Sequence, residues 1–180
     1  VKLYGELASA YICADSLVQA ELAIFEGLDR LIPDSISIAE LPRRDQLYPE
    51  NSFVELLVIK AYIQELYFKK SGDTSHLSVA IDAIELALHT NDLIRESVIG
   101  DLSKLISIDN NKEFIGKGLY YLQVLYNQDP NSYYLGKART FFSQSKALLF
   151  SEKNRKINLL SIMSPADREK CMDLQKEIMK

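Results

Sequence analysis

A chain of 180 residues is long enough for one ordinary domain or for a short repeat array. Its 47% apolar content is too high for a disordered segment, and a net charge of −4 argues against the concentrated positive face that nucleic-acid binding needs. Two cysteines, Cys13 and Cys171, lie near opposite ends and give neither a disulfide framework nor a metal-ligand spacing.

No apolar run reaches the length of a membrane-spanning helix, so membrane insertion is not expected. The start, Val-Lys-Leu-Tyr, lacks the charged and apolar regions of a signal peptide, and no Asn-x-Ser/Thr acceptor occurs. A reducing, cytoplasmic setting is the default expectation.

In chain order, the first element is a helical hairpin over about 1–34, closed by Pro33. An irregular insertion follows over about 34–51, containing Pro42 and Pro49. Residues 52–70 form an apolar helix expected to be buried on two sides. The turn Ser71-Gly72-Asp73-Thr74 leads into a second helix, which completes a hairpin over about 52–90. Between Asp92 and Ser107, Ile94, Val98, Leu102, Leu105 and Ile106 recur at helical spacing and predict an additional helix. A third hairpin is expected over about 112–148, turning at Asp129-Pro130-Asn131-Ser132. Ser164-Pro165-Ala166-Asp167 reads as a helix start, and the polar tail to Lys180 as a capping helix over about 164–180. Alternation at Ser35–Ile38 is too short to build a sheet, so the expected fold is all-α.

The chain also resembles itself. Ala61-Tyr62-Ile63-Gln64-Glu65-Leu66-Tyr67 matches Tyr120-Tyr121-Leu122-Gln123-Val124-Leu125-Tyr126, with Tyr, an aliphatic residue, Gln, Leu and Tyr in register. After the turns, Leu77 and Ala80 match Leu135 and Ala138; the offset is 59 residues before the turn and 58 after it. Recurring helical hairpins are the mark of an α-solenoid, in which each unit is stable only when stacked on its neighbour.

The opening hairpin resembles a tetratricopeptide repeat: Tyr4, Leu7-Ala8 and Tyr11 on the first helix, then Ala20, Ile24, Gly27 and Pro33. The later copies resemble it in part, with Ala80, Ile84 and Ala87-Leu88, then Gly118, Tyr121, Ala138, Phe142 and Ser145. The resemblance implies antiparallel helical hairpins stacked as a short tetratricopeptide-like solenoid, with a partner-binding groove lined by first helices. Carried over position by position, it places Lys2, Ser9, Ile12 and Cys13 in that groove, then Lys60, Ile63 and Gln64, then Leu122 and Gln123. Gly5 and Ser9 stand where some family members use Lys and Asn to grip a terminal carboxylate, so that mode of binding is not expected.

No catalytic constellation stands out. His76 and His89 read as helix-terminal residues, and Gly116-x-Gly118 lies inside a helix rather than after a strand. Paired tyrosines at Tyr120-Tyr121 and Tyr133-Tyr134 cannot all point inward from one helix, so some must face solvent or a partner. The expected function is an adaptor or scaffold that binds a protein or peptide, as part of a larger complex, with no catalysis, metal or cofactor. A peptide-sensing regulatory domain and an all-α enzyme are the competing readings.

Overall fold

The computed structural model describes residues 1–32, 37–38, 40–97, 101–144 and 164, with backbone alone for 101–110. The expected capping helix over 164–180 lies outside the described residues, apart from Ser164. Contacts divide the chain into two compact units, Val1–Phe142 and Ser143–Lys180. The account below concerns the first.

Every regular element among the described residues is helical. In order they are α1 (Lys2–Cys13), α2 (Leu17–Asp29), a 3-10 turn (Arg44–Gln46), α3 (Asn51–Ser71), α4 (Ser75–Ser97) and α5 (Asp101–Gln128). Residues 132–144 are also helical and are designated α6. None of the described helices is long and apolar enough to cross a membrane.

Local chemistry sets the ends of these helices. Asp15 bridges α1 and α2 in a left-handed conformation, φ 56°, which a short polar side chain tolerates. Glu50 opens α3 by accepting the Ser52 N–H at 3.1 Å. Gly72 closes α3 at φ 74°, where a side chain would be strained. The next two turns share one device: Asp73 accepts the Ser75 N–H and Asn131 the Tyr133 N–H, each at 2.9 Å.

The additional helix expected over Asp92–Ser107 is not a separate element. Its first part ends the 23-residue α4 and its last part begins the 28-residue α5. No Pro or Gly interrupts Ser75–Ser97, so the apolar periodicity of α4 continues past the expected end.

The described part of the insertion is anchored at residues 42, 47 and 48. Pro42 and Leu47 are buried, the Tyr48 hydroxyl donates to the Leu31 carbonyl at 3.2 Å, and the Tyr48 ring meets Phe53 edge-on at 5.0 Å.

One core cluster joins Ala8 of α1, Ala20, Ala23, Ile24 and Leu28 of α2, Phe53, Leu56, Leu57 and Ile63 of α3, and Leu86 and Ala87 of α4. α1 packs on α2, and α3 on α4. α3 also touches both α1 and α2, and α4 touches α5. Between α4 and α5 the Asn91 amide donates to the Asn111 carbonyl oxygen at 2.6 Å, so this buried polar pair is internally satisfied.

Candidate functional site

The nine residues expected to line a groove separate into two groups. Lys2, Ser9, Cys13 and Gln123 are exposed, while Ile12 is half-buried against the core. Lys60, Ile63, Gln64 and Leu122 are buried, none more than 5% exposed. Ser9 donates to its own helix at the Gly5 carbonyl, 2.9 Å away.

The buried polar pair has its own partners. Glu21 on α2 accepts Lys60 Nζ at 2.5 Å and Gln64 Nε2 at 2.9 Å, and Lys60 also donates to the Ile38 carbonyl at 3.3 Å. Gln64 Oε1 lies 2.7 Å from His76 Nδ1, and the His76 ring stacks on Tyr67 with centroids 5.2 Å apart. Burial, then the nearby Glu21 carboxylate, pushes the Tyr67 hydroxyl up to about 12. This network ties α2, α3 and α4 together, and its polar atoms are turned toward one another rather than toward a ligand.

A different set faces solvent. Tyr62 on α3 is 39% exposed and Tyr120 on α5 is 55% exposed. Lys117 Nζ sits 5.5 Å from the centroid of the Tyr62 ring, a cation–π distance, and is three residues from Tyr120 on the same helix. Beneath them, the Tyr121 hydroxyl donates to Glu65 Oε2 at 2.6 Å, and Lys69 pairs with Glu65 Oε1 at 2.6 Å. Burial alone would raise the Glu65 carboxyl, but the bonds from Lys69 and Tyr121 and the charges of Lys69 and Lys117 outweigh it. Glu65 therefore stays ionised and fixes the ring and ammonium groups around it. The result is a patch of two exposed tyrosines and two lysines bridging α3 and α5.

The burial pattern also corrects the register of the internal match. Phe53, Leu57, Lys60, Ile63 and Gln64 are buried on α3, and Asn111, Ile115, Gly118, Tyr121 and Leu122, each 58 residues later, are buried on α5. Tyr62 therefore corresponds in packing to exposed Tyr120, not to Tyr121, which is 1% exposed. Gln64 and Gln123 match in sequence but not in environment, one buried and the other exposed. The second helices shift likewise. Leu135, matched in sequence to buried Leu77, is 45% exposed, and Phe142 is 54% exposed, whereas Phe141 is buried. Sequence identity had aligned Tyr with Tyr; the inward face of each helix decides the alignment instead.

A small, shallow cleft lies between α4, α5 and α6, lined by Ile81, Leu122, Leu125, Tyr133, Tyr134 and Lys137 among others. Lys137 bonds to Asp82 at 2.8 Å and Glu85 at 3.1 Å. Burial would lower the Lys137 ammonium, but these carboxylates and the Tyr133 side chain raise it instead, so it is a fixed cation and a poor nucleophile. Among the described residues no group of three or more His, Cys, Asp or Glu is placed to hold a metal ion.

No protein-family model, curated protein or solved structure matches the chain.

Proposed function

We propose that the chain is a non-catalytic protein-interaction module, a short tetratricopeptide-like array whose first helices present a binding face to a protein or peptide. The observation that carries this reading is the exposed pair Tyr62 and Tyr120, at equivalent positions of successive first helices and flanked by Lys69 and Lys117. Tyrosine offers a large apolar surface with a hydrogen-bonding tip at low entropic cost, which is why it is enriched at interface hot spots. Lysines beside the rings add donors for carbonyl or carboxylate groups of a partner.

The packing supports the array. α3 contacts both helices of the preceding pair, and α5 meets α4 directly and α3 through Tyr121–Glu65 and Lys117–Tyr62. The family's small positions also behave as close contacts. Ala8 and Ala20 are fully buried, and a Cβ on Gly27 would lie 2.9 Å from Leu56 and 3.0 Å from Tyr4.

The test is affinity capture from the native lysate with wild type and with a Tyr62→Ala/Tyr120→Ala variant of unchanged helicity. A protein retained by the first and lost by the second supports the reading. Equal capture by both removes the assigned face.

A further inference from the structure

We propose that the Tyr62–Tyr120 face takes a proline-rich segment in the polyproline II conformation, laid across α3 and α5 with prolines three residues apart on the two rings; the assignment rests on the binding face proposed above and names its partner. In the register that burial sets, α3 and residues 109–129 share only two identical residues, Glu55 with Glu113 and Tyr62 with Tyr120. All four are exposed, whereas every buried position of α3 differs from its counterpart. Packing therefore does not account for the recurrence. Within each helix the Glu and the Tyr are seven residues apart, which sets them on one face.

Two contacts fix how the rings are arrayed. Lys117 reaches Tyr62 and Tyr121 reaches Glu65, so residue numbers rise together along the two helices and α3 and α5 run parallel. Tyr62 and Tyr120 thus form a row across the helix axes, spaced as packed helices are, about 10 Å. A polyproline II segment repeats its side chains every three residues, about 9.3 Å, and matches that row. An extended strand repeats one face at about 6.6–6.8 Å and misses it. An α-helix laid along the row would cross α3 and α5 at nearly right angles, the rarer packing.

The chemistry makes the same choice. Neither phenol hydroxyl is bonded to another described residue, and Lys69 lies within electrostatic reach of both. Lys69 and Lys117 keep N–H donors beyond their pairing with Glu65 and Glu113. Glu65, the acceptor beneath the rings, is already engaged by Lys69 and Tyr121. The row therefore presents rings and donors. A proline-rich chain presents pyrrolidine rings and carbonyls that no internal bond satisfies, and it has few N–H groups. Glu55 and Glu113, two turns along from the tyrosines, border the row and select a basic side chain between the prolines.

The probe is fluorescein-labelled (Pro-Arg-Ala)4, titrated by anisotropy into the full 180-residue chain. Its control is a peptide of the same composition with no two prolines three residues apart. Variants are checked for helicity by circular dichroism. The repeating peptide should bind, and affinity should fall at least about tenfold for the control and for Tyr62→Ala/Tyr120→Ala. Glu55→Gln should weaken binding about threefold. A control that binds equally well, or affinities that these substitutions leave unchanged, would overturn the proposal. Selection of random peptides on the immobilised chain separates the two levels. Proline-free binders that need Tyr62 and Tyr120 would remove the polyproline assignment and keep the binding face; no sequence needing the two tyrosines would remove both.

Discussion

The Tyr121 hydroxyl donates to Glu65 at 2.6 Å and so joins α5 to α3 across 56 residues of sequence. Tyr121 is 1% exposed, and its neighbour Tyr120 is 55% exposed. Two adjacent tyrosines therefore have opposite roles: one locks two helices together, and the other presents its ring to solvent. Replacing Tyr121 with Phe keeps the ring and removes only the bond, which should cost about 1 kcal/mol in urea unfolding. The Glu65 carboxyl should titrate higher in that variant by NMR, since one of the groups holding it low is gone.

The Glu21–Lys60 pair should be asymmetric. The Lys60 side chain is 4% exposed and that of Glu21 22% exposed. Glu21→Ala leaves a buried ammonium with the Ile38 carbonyl as its remaining hydrogen-bond acceptor and should cost about 3 kcal/mol. Lys60→Met leaves a partly solvated carboxylate still bonded to Gln64 and should cost about 1 kcal/mol. In the double variant the losses should fall well short of their sum, as denaturant titrations of the four proteins in a cycle would show.

Two glycines in one sequence motif should respond with opposite sign. A Cβ on Gly118 would lie 2.8 Å from the ring of Phe141, itself buried, so Gly118→Ala should destabilise by about 1–3 kcal/mol. Gly116 is exposed in the same helix with nothing within 4 Å, so Gly116→Ala should stabilise by about 0.5–1 kcal/mol. Thermal unfolding of the two variants beside wild type decides the matter.

Much of the architecture was legible because helical periodicity is a local signal. The apolar spacing marked the helices, and Gly72 and Asn131 fell within the expected turns. What escaped was the length of α4 and α5, because the apolar spacing of Asp92–Ser107 runs across Gly100 without a change of period. The facing of side chains was harder still. A one-residue slip turns a helix by about 100°, enough to exchange buried Tyr121 for exposed Tyr120 and buried Phe141 for exposed Phe142. The partners of Lys60 and Gln64 were invisible as well, because Glu21 lies about 40 residues away in the chain. The one sequence signal for the exposed site was the adjacent tyrosine pair, of which a single helix face can hold only one.

Alkaline solution should unfold the protein before ordinary tyrosines would finish titrating. Tyr67 is pushed up to about 12 from its ordinary value of 10.0, and burial followed by the bond to Glu65 also pushes Tyr121 up. Lys137 is raised too. A raised folded-state value means that the stabilisation is complete below the unfolded value and is lost as pH climbs through the folded one. Stability should hold near neutrality and fall from about pH 10 upward. The phenolate absorbance of Tyr67 and Tyr121 should appear only with loss of the circular-dichroism signal.

The binding face is tested most directly by selecting random peptides on the immobilised wild-type chain and titrating the enriched sequences into wild type and Tyr62→Ala/Tyr120→Ala. Binding should weaken at least about tenfold in the variant, while Tyr133→Ala, an exposed tyrosine on α6, should bind as wild type does. Failure to enrich any peptide, or affinities that the double substitution leaves unchanged, would contradict a protein-binding face built on Tyr62 and Tyr120.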